Sequence, residues 1–486
     1  MQHIWAGVPA HANLSGMPSL AHYQHRRSQF LDRIDNPVLL VSGGDRSRNY
    51  PDNPYPYRPD SNWLFFFASA EPDSAALFDP KDKSVTLFLN DRTASGALWH
   101  GAVPGFDEMK VQHGVTHVAS RNGLAEAIQQ AAGGRRVDSF AVADTYATEL
   151  ARDVTGDQTL AFKDAAKIAR PELIQAIGEL RARKDEPEIE QMRRTASITK
   201  EAHLAAMTHT EPGMLEQELV GLVEGCFARH GCVPAYNTIL SVRGEVLHNH
   251  DHSNTLHDGD IVLLDGGAEN ATGYCSDVTR SWPVSGKFSS EAADIYDIVL
   301  RAEVETIAAA KPGARYRDLH LLSSRIVAEG LADLGLLRGS VDSLVETGAH
   351  AVFFPHGVGH LIGLDVHDME AFGDAIAYPP GRGRSDQFGL QYLRLDIDLE
   401  PGMAFTIEPG IYFVPAILHG DEFRDRFKDQ VDFDKAELYL KMNDGRGFGG
   451  IRIEDDVLCT ADGYEVLTDA IPKDRETVEG LVGSAR

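Results

Sequence analysis

Four carboxylates and one imidazole stand in this chain where apolar runs meet glycine or proline. They are Asp265, Asp277, His360, Glu408 and Glu454. Such junctions are typical of buried strands and tight turns, which hold side chains rigidly. Brought together, these groups would repel each other unless divalent cations neutralised them. The residue types therefore predict a centre of two metal ions, about 3.5 to 4 Å apart, that activates a shared water.

The donor set is rich in oxygen and contains one nitrogen, which favours hard or borderline ions. Mn²⁺ suits it best, and Co²⁺, Zn²⁺ and Fe²⁺ are compatible by affinity. Taken singly, Asp265 also fits a turn residue, Glu454 part of a solvated acidic turn, and His360 a hydrogen-bonded core histidine. Glu408 follows apolar residues, and burying it without a charged partner would cost free energy. The five in order predict a metal site.

The segments that carry these residues resemble those of the creatinase/prolidase/methionine aminopeptidase group of pita-bread metallohydrolases, and within it the Xaa-Pro peptidases. They are IVLLDGG (261–267), CSDVTRSWPVSGKF (275–288), FFPHGVGHLIGLDVHD (353–368), LEPGMAFTIEPGIYF (399–413) and GFGGIRIEDD (447–456). Residues 55–73, YPYRPDSNWLFFFASAEPD, resemble the accessory domain of the same peptidases. The two aspartates are 12 positions apart, one more than is usual in the family. The extra residue is expected to enlarge a hairpin loop at 269–273.

The resemblance implies an α/β accessory domain over residues 1–180 and an α+β pita-bread catalytic domain over 181–486. It implies hydrolysis of Xaa-Pro bonds, chiefly in dipeptides as in prolidase, by a hydroxide bridging two metal ions. The alternative within enzymes is aminopeptidase P, which acts on longer peptides. The alternative outside enzymes is a metal-free binding or chaperone module. The family also implies a homodimer, in which Trp99 and His100 would help to close the partner's site.

The resemblance assigns four residues to catalysis. Glu408 would move a proton from the water to the prolyl nitrogen as well as binding metal. His356 and His367 would contact the scissile carbonyl or the transition state, and a histidine bonded to backbone is the alternative for each. Arg452 would point the same way as the ligand two residues on and orient Asp277 or a neighbouring carboxylate.

Three further residues are expected to bind substrate with His367. His248 matches a family histidine near the proline pocket, and Tyr236 is expected to line the same pocket. Arg394 lies 14 positions before the fourth ligand, where prolidases place an arginine that grips the dipeptide carboxylate. A guanidinium fork suits that bidentate contact, and an ordinary surface arginine is the alternative. His250 and His252 are expected to be exposed loop residues.

Composition excludes several classes of partner. A chain of 486 residues has room for two domains, and its 46 basic and 73 acidic residues give a net charge of −27. This charge opposes binding to nucleic acid or to an anionic membrane. The four cysteines form no CxxC pair, which predicts reduced thiols. No signal peptide and no stretch of roughly 18 apolar residues is evident, so a cytoplasmic protein is expected.

Periodicity predicts the elements that must position these residues. A helix is expected at 20–34, a buried strand at 37–43, and a hairpin formed by 74–80 and 84–90. The charged segment 181–194 opens a helix near Pro187, just after the domain boundary. Ser289 or Ser290 is expected to cap a helix with an apolar stripe. That stripe comprises Ile295, Ile298, Val299 and Ala302.

Overall fold

The structure, a computed structural model, describes residues 18–67, 69–162 and 170–485. The described chain forms two compact units. The first runs to Ala182 and includes Met369–Ile376, and the second comprises Arg183–Asp368 and the residues from Ala377 onward. In the described part of the chain, no helix is both long and apolar enough to span a membrane. All four cysteines are buried with free thiols, as expected.

The first unit is built on a mixed sheet. Its strands are β1 (Val38–Val41), β2 (Ala75–Asp79), β3 (Ser84–Leu89), β4 (His117–Ser120) and β5 (Asp138–Ser139). They lie in the order β4-β3-β2-β1-β5, with β1, β2 and β3 antiparallel and the two edge strands parallel to their neighbours. The predicted strand at 37–43 and the hairpin of 74–90 are thereby confirmed.

Helices cover this sheet. They are α1 (Leu20–Leu31), α2 (Ser61–Phe66), α3 (Ala94–His100), α4 (Phe106–His113), α5 (Leu124–Ala132), α6 (Thr145–Thr155) and α7 (Pro171–Ala182). The predicted first helix is confirmed, and it buries Tyr23, Phe30 and Leu31. The rings of Phe30, Phe66 and Phe78 lie 4.9 to 5.3 Å apart between α1, α2 and β2. These apolar side chains of the helices and the sheet form part of the core of this unit.

The second unit combines long helices with short strands. Its helices are α8 (Glu186–His209), α9 (Glu216–Arg229), α10 (Ser290–Ala309), α11 (Tyr316–Asp333), α12 (Val341–Thr347), α13 (Asp374–Ala377, of which only Ala377 belongs to this unit), α14 (Pro415–Leu418), α15 (Asp421–Phe427), α16 (Phe433–Leu440), α17 (Met442–Gly445) and α18 (Arg475–Leu481). Asp185 caps α8, and Pro187 lies in its first turn as predicted. Ser289, not Ser290, caps α10 by accepting a hydrogen bond from the amide of Ala292.

The strands of the second unit pair antiparallel wherever the structure describes a ladder. They are β6 (Val233–Pro234), β7 (Ile239–Ser241), β8 (Ile261–Asp265), β9 (Ala268–Glu269), β10 (Thr279–Pro283), β11 (Ala404–Ile407), β12 (Gly410–Tyr412), β13 (Gly450–Arg452), β14 (Asp455–Cys459) and β15 (Tyr464–Val466). The ladders are β10-β8-β7, β11-β14-β15, β12-β13 and β6-β9. The predicted antiparallel α+β architecture is present, and every predicted metal ligand lies at or near the end of one of these strands or bridges.

Candidate metal centre and substrate cavity

The hairpin of β8 and β10 brings two aspartates together. Asp265 ends β8 and pairs in register with Thr279, the first residue of β10. Asp277 lies two residues before that strand begins. Close approach within this hairpin requires glycine, because a Cβ on Gly267 would lie 1.8 Å from the carbonyl oxygen of Ser276. Both aspartates are buried. Their carboxylates therefore face each other from a rigid frame.

His360 is positioned differently from the expectation. No regular strand runs through 353–368, and the structure shows only an isolated bridge between Leu361 and Phe405. The carbonyl of His360 accepts a hydrogen bond from the amide of Thr406 at 2.9 Å. Gly359 allows this contact, since a Cβ there would lie 2.3 Å from the Thr406 oxygen. One isolated bridge and a main-chain hydrogen bond to β11, and not a ladder, hold the main chain at His360 in place.

The two glutamates lie at strand junctions. Glu408 sits between β11 and β12, where its amide donates to the carbonyl of Val358 at 2.8 Å. Glu454 sits between β13 and β14, where its amide donates to the carbonyl of Thr279 at 3.1 Å. A strand alternates its side chains between two faces, and a junction can turn one carboxylate toward the hairpin. Both glutamates point into the same region as the aspartates.

Donor atoms of this set converge within the reach of a metal ion. Ligand atoms of Asp277, His360 and Glu454 all lie within 4.8 Å of one another. The Nε2 atom of His360 is 3.3 Å from Asp277 Oδ2 and 3.6 Å from Glu408 Oε1. Its Nδ1 atom lies 3.0 Å from the carbonyl of Leu361 and donates to it. That bond leaves Nε2 free to bind a metal, as in many histidine sites.

Burial and the mutual repulsion of the carboxylates shift the pKa values within this cluster. Burial raises the pKa of Asp265 to about 7 and that of Glu454 well above its usual range, and the neighbouring carboxylates add to the rise for Glu454. Burial also raises the pKa of Glu408. Burial opposes the charged form of His360, but its hydrogen bond to Asp277 and the charge of Glu408 raise its pKa to about 9. Divalent ions displace such protons, so this donor set fits them.

Tyr236 contacts two of the predicted metal ligands directly. Its hydroxyl is 2.5 Å from Asp265 Oδ1 and also contacts Asp277 Oδ1. The Tyr236 hydroxyl has one proton, so it can donate a hydrogen bond to only one of the two carboxylates at a time. The other short contact requires a proton on a carboxyl group, which agrees with the raised pKa of Asp265. Tyr236 also lines the cavity described below.

Arg452 connects three parts of the site. Its Nη2 atom contacts Asp265, its Nε atom donates to Thr279 Oγ1 at 2.9 Å, and its Nη1 atom donates to the Tyr412 hydroxyl at 3.0 Å. Thr279 in turn donates to Glu454 Oε2 at 2.6 Å. Of the two alternatives expected for Arg452, the neighbouring carboxylate is therefore the one contacted. The arginine touches one predicted metal ligand, Asp265, directly and a second, Glu454, through Thr279.

His356 uses both ring nitrogens. Its Nε2 atom is 2.9 Å from the Tyr412 hydroxyl, and its Nδ1 atom is 2.8 Å from the carbonyl of Gly357. Because Arg452 donates to the Tyr412 oxygen, the tyrosine proton points to Nε2 and the His356 proton to Gly357. Burial lowers the pKa of His356 to about 3, so the ring is neutral. Donation to an oxyanion, the role predicted from the family, would require exchange of one of these bonds.

A cavity of about 640 Å³ opens beside the carboxylates and is large enough for a small ligand. Its lining includes all five predicted metal ligands and His248, His356, His367, Arg394 and Tyr236. His367 lies against His360, with ring centroids 4.2 Å apart. Arg394 is half-buried there and is not an ordinary surface arginine. Its charge contributes, after burial and Arg452, to the lowered pKa of His248.

One histidine differs from the sequence-based expectation, and two side chains were not anticipated. His252 is half-buried with its Nδ1 atom 3.1 Å from the carbonyl of Leu240, so its predicted exposure is wrong. His250 is exposed as expected, but it also lines the cavity. Thr279 and Tyr412 were not singled out. Thr279 is two positions from Asp277, a predicted metal ligand, and this spacing places side chains on one face of an extended chain.

Comparison with known proteins agrees with this geometry. Residues 190–461 match the model of metallopeptidase family M24, and residues 23–139 match the N-terminal domain of aminopeptidase P. Human Xaa-Pro dipeptidase is 33% identical over 95% of this chain and 93% of its own length. Xaa-Pro aminopeptidase of Escherichia coli is 32% identical over 96% and 99%, respectively.

Solved structures show the same fold. Aminopeptidase P from E. coli with the inhibitor Pro-Leu superposes with a TM-score of 0.78 at 30% identity, over 97% of this chain and 99% of that one. Proline aminopeptidase P II from Yersinia pestis gives a TM-score of 0.77 at 29% identity, over 96% and 100%. The first unit is thus an aminopeptidase P-type N-terminal domain and the second a pita-bread catalytic domain. With its family match over more than half of its length, the chain belongs to metallopeptidase family M24.

Proposed function

We propose that this protein hydrolyses the Xaa-Pro peptide bond, chiefly in dipeptides, as an Xaa-Pro dipeptidase. The observation that carries the proposal is the presence of Arg394 in the same cavity as the five predicted metal ligands. A carboxylate clamp beside a hydrolytic centre suits a substrate whose terminus lies one residue from the scissile bond. The names of the relatives support Xaa-Pro specificity, because they include both a dipeptidase and an aminopeptidase.

The cofactor is proposed to be two divalent ions per chain, with Mn²⁺ as the first choice and Co²⁺, Zn²⁺ or Fe²⁺ as substitutes. Asp265, Asp277, His360, Glu408 and Glu454 would hold them. Four carboxylates and one imidazole match the preference of hard and borderline ions. A zinc-substituted form of the E. coli enzyme has been solved, which shows that a relative accepts that ion.

The side chains then have distinct tasks. The five predicted ligands would hold divalent ions, whose chemistry would be to polarise the scissile carbonyl and to lower the pKa of a bound water. Glu408 accepts the proton of the attacking water and returns it to the prolyl nitrogen, because an amine leaves poorly unless it is protonated. His367, packed against His360, contacts the carbonyl oxygen. Arg452 orients Asp265, and Tyr412 joins Arg452 to His356 on the cavity wall.

Substrate binding is proposed to involve His248, Arg394 and Tyr236. Arg394 pairs with the free carboxylate of the dipeptide, and the other two contact the prolyl ring and the adjoining chain. A dedicated pocket is needed because the Xaa-Pro amide has no N–H and its ring fixes φ, so enzymes that bind an extended backbone reject it.

The second candidate is an Xaa-Pro aminopeptidase that acts on longer peptides. One observation favours it: Tyr392, at the wall of the same cavity, is 51% exposed, which leaves room for a chain to continue outward. The solved relatives named above are also aminopeptidases P. The protein is further proposed to be a cytoplasmic homodimer that binds neither nucleic acid nor membranes, with the domain boundary near residue 180.

Two substrates separate the candidates. Turnover of Ala-Pro should exceed that of Ala-Pro-Ala in added Mn²⁺ if the protein is a dipeptidase, and the order should reverse for an aminopeptidase. Arg394→Ala should then raise the KM of Ala-Pro about 10- to 150-fold, the equivalent of a lost charge-assisted hydrogen bond. Hydrolysis of Ala-Pro-amide should hardly change. Equal losses on acid and amide would favour the aminopeptidase.

A further inference from the structure

Arg394 is carried by a segment of irregular structure, so its main chain must be held by other contacts. It follows the short 3₁₀ turn Leu390–Tyr392, and the preceding residue, Leu393, is 2% exposed. An arginine side chain has four rotatable bonds and loses considerable freedom when it binds a ligand. A fixed main chain on both sides of Arg394 reduces that loss.

On the N-terminal side, one carbonyl receives two donors. The carbonyl oxygen of Leu393 accepts hydrogen bonds from the Tyr378 hydroxyl at 2.6 Å and from Arg384 Nη1 at 3.0 Å. The Arg384 guanidinium also lies over the Tyr378 ring, 5.3 Å from its centroid. Two donors occupy both lone pairs of the carbonyl. They fix the plane of the peptide that links Leu393 to Arg394.

On the C-terminal side, an ion pair of a buried aspartate with a half-buried arginine anchors the chain two residues away. Asp396, with a side chain 2% exposed, accepts two hydrogen bonds from Arg315, from Nε and Nη2 at 2.5 Å each. Arg382 donates to the main-chain oxygen of Asp396 at 2.8 Å and pairs with the Asp398 carboxylate. An isolated bridge joins Arg315 to Asp398. Bidentate pairs of this kind fix orientation as well as charge.

We propose that Tyr378, Arg384, Arg315 and Asp396, here named the Arg394 brace, are positioning residues that set the preference for a free terminal carboxylate. The inference rests on the proposed function of Arg394 as the clamp. Among the described residues that line the cavity, Arg394 is present and the four brace residues are absent. They therefore act on the substrate only through the arginine they hold.

The expected effect is modest and selective. Loosening the brace leaves Arg394 to be ordered on binding, which should raise the KM of a free-acid dipeptide about 2- to 12-fold, the equivalent of immobilising one flexible side chain. The kcat should stay unchanged, because the brace touches none of the predicted metal ligands. An amidated dipeptide offers no charge to the clamp, so its KM should not change.

The test is a double-mutant cycle on the full-length, metal-loaded enzyme. Tyr378→Phe removes one donor to Leu393 and keeps the ring beneath Arg384, and Asp396→Asn removes the buried charge. Each is combined with Arg394→Ala, and kcat and KM are measured on Ala-Pro and Ala-Pro-amide. Asp342→Asn, which breaks the surface pair of Asp342 with Arg325, is the matched control.

The brace predicts a higher KM for the free acid in each single variant, no change on the amide, and no further rise once Arg394 is alanine. Equal losses on both substrates, or the same loss in the Arg394→Ala background, would show a general structural role and overturn the inference. An unchanged KM in Tyr378→Phe would do so even if Asp396→Asn does not fold. If Arg394→Ala alone leaves the KM of Ala-Pro unchanged, the proposed dipeptidase function is wrong, and the role proposed for the Arg394 brace is wrong with it.

Discussion

Thr279 offers a sharp test of how the protein sets its affinity for metal. Its hydroxyl donates to Glu454 Oε2 at 2.6 Å and accepts from Arg452 Nε at 2.9 Å. Thr279 is fully buried and Glu454 is 2% exposed, so a valine at position 279 leaves no room for a water in place of the hydroxyl. Thr279→Val keeps the shape of the side chain and removes both bonds. The carboxylate then loses the contact that aims it at the other ligands.

The size of the loss follows from this geometry. A hydrogen bond to a charged group contributes about 1.5 to 3 kcal/mol, which corresponds to roughly a 10- to 150-fold change in an equilibrium constant. Loss of the partners behind metal ligands typically costs about 10- to 100-fold in metal affinity. Arg452 keeps its bonds to Asp265 and Tyr412, so the fold should persist. We expect the affinity for metal to fall about 10- to 100-fold and kcat to stay near the wild-type value at saturating metal.

The assay is a titration of the metal-free enzyme with Mn²⁺, followed by activity and by calorimetry. Thr279→Ser, which keeps the hydroxyl, is the matched control and should bind metal nearly as the wild type does. If Thr279→Val binds metal as tightly as Thr279→Ser, the hydroxyl does not orient Glu454 and the reasoning is wrong. A loss of kcat that saturating metal does not restore would also contradict it.

Three other substitutions probe separate parts of the site and fold. Glu408→Gln should lower turnover by about 10² to 10⁴ in excess metal, the range for general acid–base catalysis, and near-wild-type turnover would refute proton transfer by this residue. Asp277→Asn should abolish hydrolysis while circular dichroism remains unchanged; retained activity would remove Asp277 from the metal site. Burial lowers the pKa of His350 to about 4, so the unfolded chain takes up a proton at higher pH than the folded protein does. The neutral His350 side chain therefore contributes fully to stability above pH 6.5, and this contribution is lost as the pH falls toward 4. The free energy of unfolding should fall by about 2 kcal/mol between pH 6.5 and 5. Denaturation curves of His350→Asn should show a flatter acid limb, and an identical limb would contradict this.

Local patterns predicted the elements well because their signals lie within a few residues. The strand at 37–43, the hairpin of 74–90 and the cap at Ser289 each depend on periodicity or on one side chain near a helix end. His360 shows the limit of such patterns. Its apolar surroundings resemble a strand, yet it lies on an irregular segment, next to the isolated bridge of Leu361 and in contact with Thr406.

The contacts that tune the site could not be predicted in the same way. Tyr412 and His356 are 56 positions apart, and Arg452 and Thr279 are 173 apart. A single sequence carries no signal for such pairings, because burial and hydrogen bonding depend on how distant strands meet. The residue types of the predicted ligands, in contrast, could be recognised in the sequence, because a carboxylate within an apolar run is costly to bury unless a cation binds it.

The central claim is a centre of two metal ions held by the four carboxylates and His360. The most direct measurement is the metal content of the purified, fully active enzyme, determined by mass spectrometry alongside a titration of activity against added Mn²⁺. We expect two ions per chain in the wild type and none in the double variant Asp277→Asn, Glu454→Gln at the same free metal concentration. Full activity with one ion per chain, or with none, would contradict it.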